Sequence, residues 1–229
     1  MEKSPERHPE YMRIVYAFVF STAVATLIMA IGAIKAHNGY FWFLLFNLLL
    51  AYVAPLLAWW LVVRLKTTPW LSVPNILITL FWLGFLPNSF YMISDLIHAQ
   101  TAIGVDLLYN IVIIMLFLFN ACAAGFISLY LVHWALLKRF YYRYAHLIIA
   151  IVILLCSFAI YLGRFLRWNS WNVITDPAGI LFDVSDTIIS PRTHPEVFAT
   201  TASFFLLISS MYIVIWQVLR TFKKPHKTN

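Results

Sequence analysis

Charge is what this chain has least of. Lys, Arg, Asp and Glu together make up 11% of its 229 residues, and only nine side chains are acidic. A soluble domain carries about 25% charged residues. So few charges cannot coat a water-facing surface, which excludes an ordinary soluble enzyme. Cysteine is scarce as well: Cys122 and Cys156 both lie inside apolar runs, so neither a disulfide framework nor a thiolate metal spacing is indicated. The sequence has no glycine-rich phosphate loop, dinucleotide fingerprint or haem motif. It also lacks a His-Glu-x-x-His or paired-His pattern that would gather zinc ligands. No cofactor and no metal are expected.

Apolar residues are abundant instead, at 62% with a mean hydropathy of +0.83. They gather into six runs near 14–34, 40–63, 74–94, 107–132, 145–163 and 197–219, each close to the roughly 20 residues that span a hydrocarbon core of about 30 Å. In lipid every backbone amide needs an internal partner, and runs this uniformly apolar lack the alternation of barrel strands. The sequence therefore reads as all-α: a polytopic membrane helix bundle of about six transmembrane helices, one domain over 1–229. The first run exceeds a signal-peptide core of about 7–15 residues and reads as a retained anchor. Pro55 is expected to kink the second span, and Pro74 suits the first turn of the third. The short joint from Arg64 to Val73 makes its flanking spans antiparallel neighbours.

The net charge of +7 does not point to nucleic acid, because the basic residues form no patch or stripe. They sit between apolar runs. With the N-terminus in the cytoplasm, the inner segments hold twelve of the sixteen: Lys3, Arg7, Arg13, Arg64, Lys66, Lys138, Arg139, Arg143, Arg220, Lys223, Lys224 and Lys227. The outer segments hold Lys35, Arg164, Arg167 and Arg192. This bias predicts cytoplasmic N- and C-termini and a long outer loop between the fifth and sixth helices. Tyr40, Trp42, Trp59, Trp60, Trp134, Tyr141, Tyr142 and Tyr144 fall near span ends, where aromatic rings prefer the interface.

That topology sends the two least lipid-like segments to the same side. In the first, Asn88, Tyr91, Asp95 and His98 are spaced 3, 4 and 3 apart. On a helix they would fall within an arc of about 80°, a single polar stripe. Pro87 biases Leu86 away from helical angles, which predicts a helix break there. Ionisable groups at membrane depth usually face a bundle interior or a wet cavity. One reading is an Asp95–His98 pair for proton transfer, with Asn88 and Tyr91 orienting a ligand. The other is an interfacial helix whose polar face meets water, with Asp95 and His98 in mutual contact.

In the second segment, Arg164, Arg167, Trp168 and Trp171 would share a helical face, with Asn169 beside them. Arginine presents a fixed fork of donors suited to phosphate or carboxylate, and tryptophan stacks on rings or sits among headgroups. The competing reading is a snorkelling collar reaching phospholipid phosphates. An arginine pair outside runs against the positive-inside bias, which favours a ligand role. The loop from Val173 to Glu196 holds Asp176, Asp183, Asp186 and Glu196. Ile180, Leu181, Val184 and Ile188 at helical spacing predict a short helix on the membrane surface. The loop is long enough to fold back as a lid, and its acids also stand to balance Arg164 and Arg167. Asn47, Asn110 and Asn120 read as packing groups, as do Ala121, Ala124, Gly125 and Ser128. His133 is placed at the inner interface and is not read as a ligand.

The string Phe85-Leu-Pro-Asn-Ser-Phe-Tyr-Met-Ile-Ser-Asp-Leu-Ile-His98, followed by Tyr161-Leu-Gly-Arg-Phe-Leu-Arg-Trp-Asn-Ser-Trp-Asn172, resembles the bacterial membrane family known as domain of unknown function 1361. The likeness runs from about the second span to the sixth. It implies a multi-pass protein of the bacterial cytoplasmic (inner) membrane and assigns no activity; members often carry Asp where this chain has Asn172. Three functions stay open from sequence. The first is a membrane enzyme or binding protein for an anionic, lipid-like amphiphile. In it Arg164 and Arg167 clamp the anion, with Trp168, Asn169 and Trp171 alongside, and Asp95 or His98 handle protons. The second is a small solute or ion transporter using the Pro87–Asn88 segment. The third is a non-catalytic partner whose outer loop grips a membrane or exported protein. Membrane lipids are expected partners in all three.

Overall fold

Each apolar run folds into a continuous helix, because in hydrocarbon only the helix satisfies its own amides. A computed structural model describes residues 10–37, 39–100, 106–168, 172–189 and 195–222, and no strand occurs among them. The helices are α1 (Glu10–Ala36), α2 (Trp42–Arg64), α3 (Val73–Tyr91), α4 (Leu107–Leu137), α5 (Tyr142–Phe165), α6 (Asn172–Thr175), α7 (Pro177–Ile189) and α8 (Pro195–Phe222). A 3₁₀ segment, Met92–Gln100, continues α3. Six of these units are long and apolar enough to cross a bilayer, with α3 and its 3₁₀ extension counting as one span of 28 residues. The chain is a multi-pass membrane protein.

Helix α4 is the central post. In its most apolar stretch 56% of residues are buried, against 11% in α1 at the rim. It packs on α1, α2, α3, α5, α8 and the 3₁₀ segment. The small residues expected to make contacts do so: Ala121, Ala124 and Ser128 are buried, and a Cβ on Gly125 would lie 2.7 Å from Ser89 Cβ and 2.8 Å from Phe90 Cζ of α3. The Trp82 indole donates to Ser128 Oγ at 2.6 Å across the same seam. Asn120 ties α4 to α1 through Ser21 Oγ at 2.9 Å and accepts from Tyr52 of α2 at 3.4 Å. Asn110 donates to the Ala99 carbonyl at 3.2 Å and so holds the end of the 3₁₀ segment.

The two intrahelical prolines show how lipid-embedded backbone is repaired. Pro55 lies inside α2 and has no N–H for the Ala51 carbonyl one turn back. Ser89 of α3 supplies the missing donor, its hydroxyl reaching Ala51 O at 3.2 Å. At Pro87 the sequence expectation needs correction. Helix α3 does not break there but runs on to Tyr91, since membrane helices tolerate proline where neighbours surround it. The change of geometry comes at Met92, where the chain tightens to 3₁₀. The Ser94 hydroxyl takes the Tyr91 carbonyl at 2.7 Å, a side-chain bond that competes with the regular ladder.

Candidate functional site

The tightening at Met92 decides how the polar stripe is presented. A 3₁₀ helix has three residues per turn, so side chains at i and i+3 eclipse. Asp95 and His98 therefore stand one above the other, while Asn88 and Tyr91 hold the same side from the α-helical part. All four line one cavity of about 670 Å³. That volume lies within the range of roughly 300–1,000 Å³ typical of ligand pockets. Its walls come from α2, α3 with its 3₁₀ extension, and α5, and Ile180 of α7 closes part of one side.

Arg164 joins the two polar segments. Gly163 makes this approach possible: a Cβ there would sit 3.0 Å from the Tyr91 ring. The Arg164 guanidinium then reaches over α3 and lies 5.9 Å from the centre of the Tyr91 ring. Its Nη2 donates to the Ser94 carbonyl at 3.0 Å and to His98 Nε2 at 3.3 Å. Because arginine only donates, His98 Nε2 is the acceptor, so the ring proton sits on Nδ1 and points to the Tyr40 hydroxyl at 3.1 Å. Nη1 is held more loosely, 3.5 Å from Asp95 Oδ1 and 3.5 Å from the Tyr91 hydroxyl. Both lengths exceed the usual range for an N–H···O bond. Asp95, with 2% of its side chain exposed, takes a second donor from Asn47 Nδ2 at 3.2 Å. Arg164 and Asp95 form the one ion pair among the described residues. The polar end of the cavity thus carries one cation and one anion, and its least committed donor group is Arg164 Nη1.

The other arginine goes elsewhere. Helix α5 ends at Phe165, and Arg167 takes a left-handed conformation with φ of 59°. The chain reverses there, and the Trp168 N–H closes on the Leu162 carbonyl at 3.2 Å. Arg164 and Arg167 therefore do not share a helical face as expected, and Arg167 is exposed and outside the cavity lining. Trp168 does line it. Asn169 and Trp171 lie outside the described residues. Asn172 starts α6 and donates to Thr175 Oγ1 at 3.4 Å.

Helix α7 forms where the spacing of Ile180, Leu181, Val184 and Ile188 predicted it. Its inward face holds Ile180, Asp183, Val184 and Thr187, while Leu181 faces outward, 66% exposed. Among the described residues Asp183 forms no ion pair with an arginine. It accepts the Trp168 indole N–H at 2.8 Å, and the Trp168 ring lies against Gly179. This contact pins α7 beside the cavity. Asp183→Ala removes the acceptor and leaves the indole in place against Gly179, so amide exchange in 177–189 should speed up several-fold while that of α4 stays unchanged. Equal exchange in both proteins would show that the bond does not hold α7.

Two polar cavity residues, Tyr40 and Asn47, escape the sequence reading. Asn47 was assigned to packing and Tyr40 to the interface, yet both bond to the stripe. The available signal was periodicity: Tyr40, Phe43, Asn47 and Leu50 recur at helical spacing and all line the cavity. His133 is packed inside the bundle. It is buried, 3% exposed, bonded to Tyr212 Oη at 2.9 Å and His146 Nδ1 at 3.0 Å, and stacked 4.0 Å from Trp216. This cluster fastens α8 to α4 and α5, away from the cavity. Among the described residues no group of three or more His, Cys, Asp or Glu side chains is placed to hold a metal ion.

A family model described as "Protein of unknown function (DUF1361)" matches residues 46–215. The match begins inside α2, ends inside α8 and takes in every cavity residue except Tyr40 and Phe43. No curated protein and no solved structure matches the chain.

Proposed function

This chain belongs to the DUF1361 family of proteins of unknown function, and we propose that it is a membrane protein that binds an anionic amphiphile by its head. The observation that carries this reading is the state of Arg164. Its guanidinium is aimed into the cavity by the Ser94 carbonyl at 3.0 Å, while Nη1 meets Asp95 and Tyr91 only at 3.5 Å. A phosphate or carboxylate oxygen would offer Nη1 a shorter, charge-assisted bond. Asn88, Tyr91, Tyr40 and Asn47 surround the head with neutral polar groups. Asp95 lines the cavity beside Arg164, held by the Asn47 amide at 3.2 Å, and serves to position Arg164. His98 is the group placed to move a proton, should the bound head be turned over. The excess of lysine and arginine on one set of segments supports cytoplasmic termini and a cavity opening toward the outer side.

The test uses the purified protein in neutral-lipid nanodiscs doped with a phosphate-headed anionic lipid. Wild type should retain that lipid over a zwitterionic one of the same chains. Arg164→Lys keeps the charge but loses the fork, and should lower retention by about tenfold, or about 1.4 kcal/mol. Equal retention of both lipids by wild type would overturn the reading.

A further inference from the structure

The cavity is longer than any headgroup needs. Below Tyr91 its lining changes character: Phe46 and Leu50 of α2, Leu83, Gly84 and Pro87 of α3, and Leu155 and Ala159 of α5. From Tyr91 back to Leu83 this lane runs about 12 Å along the helix, close to the roughly 15 Å depth of one leaflet's hydrocarbon. Its mouth faces lipid, since Phe46 is 54% and Leu155 53% exposed. At its deep end is Gly84. Glycines in membrane helices usually admit a neighbouring helix, as Gly125 and Gly163 do here. A Cβ on Gly84 would meet nothing within 4 Å. Among the glycines described it is the one whose missing side chain leaves open space rather than a packed contact.

Resting on the head-binding reading above, we infer that the ligand is a chain-bearing lipid taken sideways from the bilayer. Its apolar chain lies over Gly84, between Phe46 and Leu50 on one side and Leu155 and Ala159 on the other. The physical reason is continuity. The lane joins the Arg164 pocket within one cavity, so a molecule with head and chain fills both parts, and water would find few polar partners over Gly84. A soluble anion would fill only the upper part.

Two probes separate chain from head: a long-chain phosphatidic acid with a photoactivatable group in its tail, and water-soluble butyl phosphate. Gly84→Phe fills the lane from a backbone position seven residues, about 10 Å, along α3 from Tyr91. It should fold as wild type does, because the new side chain starts in open space, and a thermal-unfolding control checks this. Long-chain retention should fall about tenfold, with butyl phosphate binding unchanged and wild-type crosslinks confined to 43–50, 83–87 and 155–159. Should Gly84→Phe retain the long-chain probe, or the crosslinks spread over the lipid-facing sides of α1 and α8, the lane is only annular surface and the inference fails. The head reading would still stand if Arg164→Lys lowers binding of both probes. Wild type binding neither probe would remove both.

Discussion

Arg164→Gln is expected to destabilise the protein by about 1–3 kcal/mol, the usual cost of leaving a buried acceptor without its partner, and to abolish retention of an anionic lipid. Asp95 would be left in a site where 2% of its side chain is exposed, with the Asn47 amide at 3.2 Å as its remaining described donor. The stability loss and the binding loss have different origins and can be parted. Adding Asp95→Asn to Arg164→Gln removes the orphaned charge while leaving amides of similar shape. The double variant should recover most of the lost stability, as a strongly coupled pair does in a double-mutant cycle, yet it should still fail to bind. Thermal unfolding in detergent and lipid retention, measured on the same preparations, supply the two readouts. An Arg164→Gln protein that melts with wild type would show that the pair at 3.5 Å contributes nothing to the fold.

The second large effect belongs to the scaffold. Gly125→Leu should leave little monodisperse protein after extraction, and Gly125→Ala should cost about 1–3 kcal/mol, the range for overpacking a filled interior. The neighbours are close and cannot swing away: Ser89 Cβ at 2.7 Å and Phe90 Cζ at 2.8 Å from the added carbon. Displacing Ser89 would also break its bond to the Ala51 carbonyl, the group that Pro55 leaves without a helical donor. Gly84→Leu is the matched comparison, on α3 itself and with nothing within 4 Å, and should leave stability nearly unchanged. If both leucine variants unfold alike, the α3–α4 seam is not closed by Gly125.

These two glycines show how far a sequence can be read. Both sit in apolar runs with small or apolar neighbours, and nothing in the letters says that one meets Ser89 and the other meets open space. The same holds for the asparagines. Asn47, Asn110 and Asn120 are equivalent as intramembrane amides, and all three were expected to pack. Asn110 and Asn120 do bridge helices, whereas Asn47 turns to Asp95. Arg164 and Arg167 differ through the end of a helix: α5 stops at Phe165 and Arg167 goes left-handed, so one guanidinium enters the bundle and the other leaves it.

Hydrophobicity and length are local, additive properties, and they were enough by themselves to determine six helices long and apolar enough to cross a bilayer, while local helical spacing was enough for the short α7 helix. The 3, 4, 3 spacing likewise determined that Asn88, Tyr91, Asp95 and His98 would keep one side. Which side chains meet across helices is non-local. It depends on helix rotation, on where α3 tightens to 3₁₀ and on the gaps that Gly163 and Gly84 leave. Only tertiary packing could set Arg164 against Asp95, recruit Tyr40 and Asn47, and open an apolar lane beneath them, because each of these needs two or more helices to be in place at once.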